Sequence, residues 1–251
     1  VYTKQDLIHH LDEAGVHRKG TLLIHSSMKS IGEVEGGADM VLDALSEYMQ
    51  EGLLVLPTHT WSYINAENPR FEVESSPSCV GILPELFRQR SGVIRSIHPT
   101  HSVAALGEDA VSFVEGAEHW DTPCHRESPW GRLLDREATI MLVGVDLRRN
   151  TFIHGIEEWV DIPGRLTDGH EQLYAVLGDG TEISVPSRRH CGLPWSEHFW
   201  KVEGVLEQQG AIHKARFGDA DTWVCDTVKM TNILSDMLRQ NPDLFSDNEP
   251  L

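Results

Sequence analysis

Two short apolar runs, Thr21-Leu-Leu-Ile24 and Leu53-Leu-Val-Leu56, bracket the segment GGADMVLDALSEYMQ, whose Met40, Val41, Leu42, Leu45 and Met49 recur at helical spacing. A strand covered on both faces reads as an unbroken apolar run, while a helix lying on a sheet shows one apolar stripe. Strand, helix and strand in this order predict a parallel β-α-β unit. Residues 4 to 15 add a preceding helix with Leu7, Ile8 and Leu11 on one face and Gly15 as its C-cap. Val103-Ala-Ala-Leu106 and Ile140 to Val145 read as further buried strands, and ILPELFRQR (82–90) as a helix. Leu173 to Val185 alternates around Gly178-Asp-Gly180 as a hairpin would, and Trp195–Gln209 and Val228–Leu238 read as closing helices. Residues 61–80, rich in Pro, Ser, Asn and charge, have no clear period and read as a long surface excursion of the functional kind, and the tail SDNEPL as frayed. The expectation is one α/β domain over residues 1–251, a mixed, largely parallel sheet flanked by helices.

Charge and cysteine usage narrow the function classes. Asp plus Glu is 39 against 21 Lys plus Arg, a formal charge of -18 that repels a phosphate backbone, so nucleic acid is not expected as a partner. No apolar run is long enough to cross a bilayer, and VYTKQDLIHHLDEAG reads as an amphipathic helix rather than a signal peptide. Cys79, Cys124, Cys191 and Cys225 form no CxxC pair, which suits a reducing compartment and argues against a zinc knuckle or redox motif. A cytoplasmic protein without membrane contact is the expectation.

Three clusters could carry chemistry. His25-Ser26-Ser27 stands where an apolar strand ends and a loop runs through Lys29, Ile31 and Gly32 into a helix, a place where open α/β sheets bind ligands. Backbone N–H groups, serine hydroxyls and Lys29 there could hold a pyrophosphate; equally, the serines could only cap local structure. Arg95-Ser96-Ile-His98-Pro-Thr100-His101-Ser102 precedes the Val103 strand. Pro99 biases His98 towards extended backbone, and no adjacent carboxylate completes a metal set, so these residues read better as pocket-shaping hydrogen-bonding groups than as zinc ligands. In Asn150-Thr-Phe-Ile-His154-Gly-Ile-Glu157-Glu158, a helix would put His154 and Glu157 on one face, one turn apart. A carboxylate beside an imidazole fixes its tautomer and raises its basicity, as a general base requires; a plain surface pair has the same spacing. No G-x-S-x-G elbow accompanies Ser26, Ser27 or Ser102, and Cys124 and Cys191 carry no cysteine-enzyme signature.

Taken together, LLIHSSMKSIGEVEGGADMVLDAL, LLVLPTHTW, GILPELFRQRSGVIRSIHPTHSVAALG, SPWGRLLDREATIMLVGVDLRRNTFIHGIEE and RRHCG resemble, in order and spacing, the aminoglycoside 3-N-acetyltransferases and their relatives acting on other amines. The resemblance is dense from Thr21 to Arg165 and thin after Gly192. It implies that family's type of α/β fold, acetyl-CoA as cosubstrate, no metal, and direct transfer in a ternary complex. By position it implies His154 as catalytic base and Glu157 as the acid orienting it. His25, Ser26, Ser27, Lys29, Ile31 and Gly32, with Ser96, His98, Thr100, His101 and Ser102, would be the coenzyme-contacting residues. Thr58 or Ser102 would stabilise the oxyanion or the leaving thiolate. A polycationic acceptor would give the acidity a purpose, with Glu67, Glu72, Asp121, Glu158 and Asp161 as candidate contacts.

Four readings of function follow, in this order. The first is transfer to the 3-amino group of an aminoglycoside, and the second is transfer to another amine such as an amino sugar. The third is a coenzyme A-binding protein without turnover. The last is a metal-dependent hydrolase built on His98, His101 and His190. The assembly expected is a monomer or homodimer.

Overall fold

The computed structural model describes residues 1–251. Helix α1 (Lys4–Glu13) opens with a capping box in which Thr3 and Asp6 satisfy each other's backbone N–H, and Gly15 takes φ 75° just beyond its C-cap Ala14. Strand β1 (Thr21–Ser26), a 3-10 turn (Met28–Ile31), α2 (Gly37–Tyr48) and β2 (Leu53–Pro57) form the expected unit, with β1 and β2 parallel and Leu22 opposite Leu54. There follow β3 (Arg70–Glu72), α3 (Ile82–Phe87), β4 (Ile94–Arg95), β5 (Val103–Gly107), α4 (Ala110–Val114), α5 (Pro129–Asp135), β6 (Thr139–Val143) and α6 (Thr151–Trp159). The chain continues through β7 (Tyr174–Val176), β8 (Glu182–Ser184), a 3-10 segment (Trp195–Val202), α7 (Glu203–Gln208), β9 (Ile212–Phe217), β10 (Ala220–Asp226) and α8 (Thr227–Gln240). No helix is long and apolar enough to cross a membrane.

Seven strands form the main sheet in the order β4-β5-β2-β1-β6-β10-β9. β1 pairs in parallel with both β2 and β6, while β5 and β10 run against their neighbours, so the parallel centre has antiparallel margins. Alternate side chains of each strand enter opposite layers. Leu22, Ile24, Leu54, Leu56, Met141 and Val143 pack with Leu7, Leu11, Val41, Leu45 and Phe87 of α1, α2 and α3 on one side. Leu23, Val55, Ile140 and Leu142 pack with Phe113, Leu133, Phe152, Ile156 and Leu234 on the other.

Two segments differ from the expectation. The 61–80 excursion is anchored, with Ile64 and Phe71 buried and β3 joining the β7–β8 hairpin in a three-stranded sheet. Buried Arg95 donates to the carbonyls of Val73 and Ser76, tying the excursion to the main sheet. Three strand residues are too few to show a period, which is why the sequence reads as loop. The β9–β10 hairpin is likewise not marked by pattern, since β9 alternates weakly, and it closes through Gly218 at φ 62°.

That hairpin supports the loop after β1. Asp219 N–H donates to the Ile31 carbonyl (2.9 Å), and a Cβ on Gly218 would lie 2.2 Å from that oxygen. On the other side Gly144, at φ 64°, leaves room for Ser30, whose Cβ would stand 2.2 Å from an added methyl. Gly144→Ala should therefore cost about 2 kcal/mol, combining left-handed backbone strain with overpacking. Urea denaturation measures this, and a midpoint equal to that of the unsubstituted chain would contradict it.

Candidate active site

The C-terminal ends of β1, β2 and β6 converge on a cavity of about 660 Å³, at the place where sheets of this kind bind ligands. His25 and Ser26 reach it from β1, Pro57 and His59 from the end of β2, and Val145 from beyond β6. Arg148, Arg149, Thr151 and His154 come from the entry to α6, and Arg189 and His190 from the strand-like segment that follows β8. Asn150 caps α6 by accepting the Phe152 N–H, which sets the rotation of the helix and with it the direction of His154.

His154 Nδ1 lies 2.9 Å from Glu157 Oε2. The other oxygen of Glu157 accepts from Arg165 Nε at 2.7 Å, both side chains being fully buried. Arg165 is itself held by the Pro242 carbonyl and by the Trp195 ring, 3.2 Å from the guanidinium carbon. Burial alone would raise the Glu157 carboxyl, but the hydrogen bonds and charges of His154 and Arg165 outweigh it and hold the group below its ordinary value. An ionised carboxylate only accepts, so Nδ1 of His154 carries the proton and Nε2 keeps a free lone pair. Phe199 packs edge-on against the imidazole at 4.9 Å, which fixes its plane.

A second imidazole stacks on the first. The His190 ring lies 4.3 Å from that of His154 at 23°, and His190 Nε2 contacts Glu158 Oε1 at 2.6 Å. Burial pushes the Glu158 carboxyl up to about 7. Around this pair His59 and His101 approach to 4.7 Å, and His101 and His190 to 5.4 Å. Burial holds all three well below the ordinary imidazole value, His25 at about 3 and His98 at about 4, so the wall is a set of neutral rings.

The sequence candidates divide by position. His25, Ser26, His101 and His154 line the cavity, and Glu157 stands behind His154. Ser27 sits at the start of the following 3-10 turn, its hydroxyl 3.0 Å from that of Ser30; Lys29 is exposed, Ile31 is wholly in the core, and Gly32 ends the turn at φ 84°. Thr58 and Ser102 do not reach the cavity. Their hydroxyls bond each other at 3.0 Å and both accept from Arg95 Nε at 3.1 Å, so they are spent on internal structure. Ser96 bonds the Val103 N–H, Thr100 bonds His101 Nδ1, and His98 Nδ1 accepts from the Thr100 and His101 N–H groups, shaping the loop from within.

The acidic candidates also lie off the cavity wall. Glu67 and Asp161 are exposed, Glu72 is on β3, Asp121 pairs with His170 at 2.6 Å, and Glu158 stands behind His190. Glu197 is the carboxylate that lines the cavity, against the guanidiniums of Arg148, Arg149 and Arg189. Those three are paired with Asp146, Glu197 and Glu171. Pattern reading passes over His59, Trp61, Arg165 and Arg189, and weighs His190 only as a metal ligand. The one available signal is the basic run beside His190.

Comparison with known proteins places these features in context. The family model described as aminoglycoside 3-N-acetyltransferase matches residues 23–239. Aminoglycoside N(3)-acetyltransferase VII of Streptomyces paromomycinus is 30% identical over 200 residues, 72% of this chain and 68% of its own length. The aminoglycoside N(3')-acetyltransferase-like protein YokD of Bacillus subtilis is 30% identical over 61% of this chain and 63% of its own. Among solved structures, aminoglycoside acetyltransferase AAC(3)-IVa in complex with a gentamicin superposes with a TM-score of 0.84 at 24% identity, covering 97% of this chain and 91% of that one. AAC-IIIb in binary complex with CoASH superposes with a TM-score of 0.83 at 20% identity, covering 95% and 97%. At these identities the structural likeness speaks for the fold.

Proposed function

Since the chain belongs to the aminoglycoside 3-N-acetyltransferase family, we propose that it transfers the acetyl group of acetyl-CoA to the 3-amino group of an aminoglycoside, with His154 as the general base. The amine nitrogen attacks the thioester carbonyl carbon, its proton passes to His154 Nε2, the C–N bond forms, the C–S bond breaks and coenzyme A leaves as the thiolate. No acyl-enzyme is involved, and both substrates occupy the cavity together. Glu157 keeps the imidazole in the tautomer that accepts at Nε2 and balances the charge that arrives with the proton; Arg165 keeps Glu157 ionised.

His154 carries this function, because it alone joins a place on the cavity wall to an ionised carboxylate on its far nitrogen. Purified protein with acetyl-CoA should release free thiol when a deoxystreptamine aminoglycoside is added, and the product should gain one acetyl group by mass spectrometry. Silence across a broad aminoglycoside panel would remove that acceptor.

One observation favours a second acceptor class. Three guanidiniums and a single carboxylate line the cavity, and Glu67, Glu72, Asp121 and Asp161 lie elsewhere, so the wall is less acidic than a polycation would select. An amino sugar of lower positive charge fits that lining. Thiol release with such an amine, and none with aminoglycosides, would decide for it.

A further inference from the structure

Glu157 and Glu158 are adjacent, both buried at their side chains, and treated differently. Glu157 faces the fixed cation of Arg165. Glu158, 5% exposed at its side chain, has only the His190 imidazole, and no lysine or arginine pairs with it. Its Oε1 accepts the Cys124 N–H at 3.0 Å, while Oε2 is buried without a hydrogen-bond partner, as is the neighbouring Thr122 hydroxyl. A buried carboxylate needs a compensating cation or a proton. Cys124 brings a thiol to the same point. It is fully buried, its sulfur has no closer partner than the Thr151 carbonyl at 3.9 Å, and its backbone is pinned by Trp159 Nε1, which donates to its carbonyl at 2.8 Å.

We propose that Cys124, Glu158 and His190 form a binding site for a single zinc-class divalent cation beside the candidate active site. Their donor atoms, one sulfur, one oxygen and one nitrogen, all lie within 4.8 Å of one another. Tetrahedral zinc holds such donors about 3.3 to 3.7 Å apart, so small side-chain adjustments bring the set into range. The 2.6 Å contact between Glu158 and His190 is the proton-bridged form of the pair. The cation replaces that shared proton and the thiol proton, both of which leave to solvent, and it supplies the positive charge Glu158 lacks. A soft thiolate with imidazole and carboxylate selects zinc over magnesium or calcium.

The three ligands come from the loop before α5, from α6 and from the segment after β8. A cation would tie these together and hold His190 flat against His154. No spacing motif announces the site, because each segment contributes one ligand.

Elemental analysis tests this without any activity assay. Protein dialysed against micromolar zinc and then passed through a desalting column should retain about one equivalent per chain. Cys124→Ser and Glu158→Gln should bind at least about 100-fold more weakly. Cys191→Ser, a thiol outside the cluster, should retain the metal. With cobalt(II) the unsubstituted chain should show a thiolate-to-metal charge-transfer band that Cys124→Ser lacks. Circular dichroism establishes that each variant is folded; should a serine variant not fold, the cobalt spectrum of the unsubstituted chain decides alone. Retention equal to that of Cys124→Ser, or a cobalt complex without the thiolate band, would overturn the site.

Discussion

His154→Gln should lower kcat by about 10²- to 10⁴-fold, the range that a positioned general base contributes. Glutamine is similar in reach and can keep a hydrogen bond to Glu157, but it offers no basic nitrogen to the cavity, so the loss should fall on the chemical step. The KM for acetyl-CoA should change little, since the Ser26 side of the cavity is untouched. Steady-state thiol release, with acetyl-CoA affinity measured separately by calorimetry, checks both parts. Full activity in the glutamine variant would remove His154 from the reaction and leave a coenzyme-binding protein whose catalytic group lies elsewhere.

Arg165→Met should destabilise the protein by about 3–5 kcal/mol, because it leaves the Glu157 carboxylate buried with no fixed cation. For a chain of this length that lowers the melting temperature by roughly 6–20 °C. The double substitution Arg165→Met with Glu157→Leu removes both charges and should recover most of the lost stability while remaining inactive, because His154 then has no acid behind it. Thermal denaturation of the two variants, with activity measured beside it, separates the electrostatic cost from simple loss of packing. If the double variant melts no higher than the single one, lost contacts with Trp195 and Pro242, rather than an unpaired charge, carry the effect.

Much of the fold was legible because burial leaves a local trace. The runs at Thr21–Ile24 and Leu53–Leu56 became β1 and β2, in parallel as their order demanded, and the alternation around Gly178–Gly180 became the β7–β8 hairpin. The His154–Glu157 pair was legible for the same reason, since residues three apart on a helix meet wherever the helix forms. β3 and the β9–β10 hairpin were not, the first for shortness and the second because β9 alternates too weakly to mark its buried face.

Site assignments made by proximity along the chain fared unevenly. Thr58 and Ser102 stand close in sequence to cavity residues, yet a strand sends successive side chains to opposite sides, and these two were drawn inward by Arg95. Arg165 and His190 could not be placed beside α6 from pattern, because the connection that brings them there has no period to read.

From the sequence alone come the layered α/β architecture, the strand–helix–strand core, the family and the imidazole–carboxylate pair on α6, all consequences of short-range spacing. Tertiary structure decided that Arg165 secures one glutamate while Cys124 and His190 meet its neighbour, and that three arginines rather than the acidic loops face the cavity. The physical reason is distance along the chain: backbone geometry sets which residues share a face within an element, but which loops meet at the strand ends is set by packing the whole sheet between its helices.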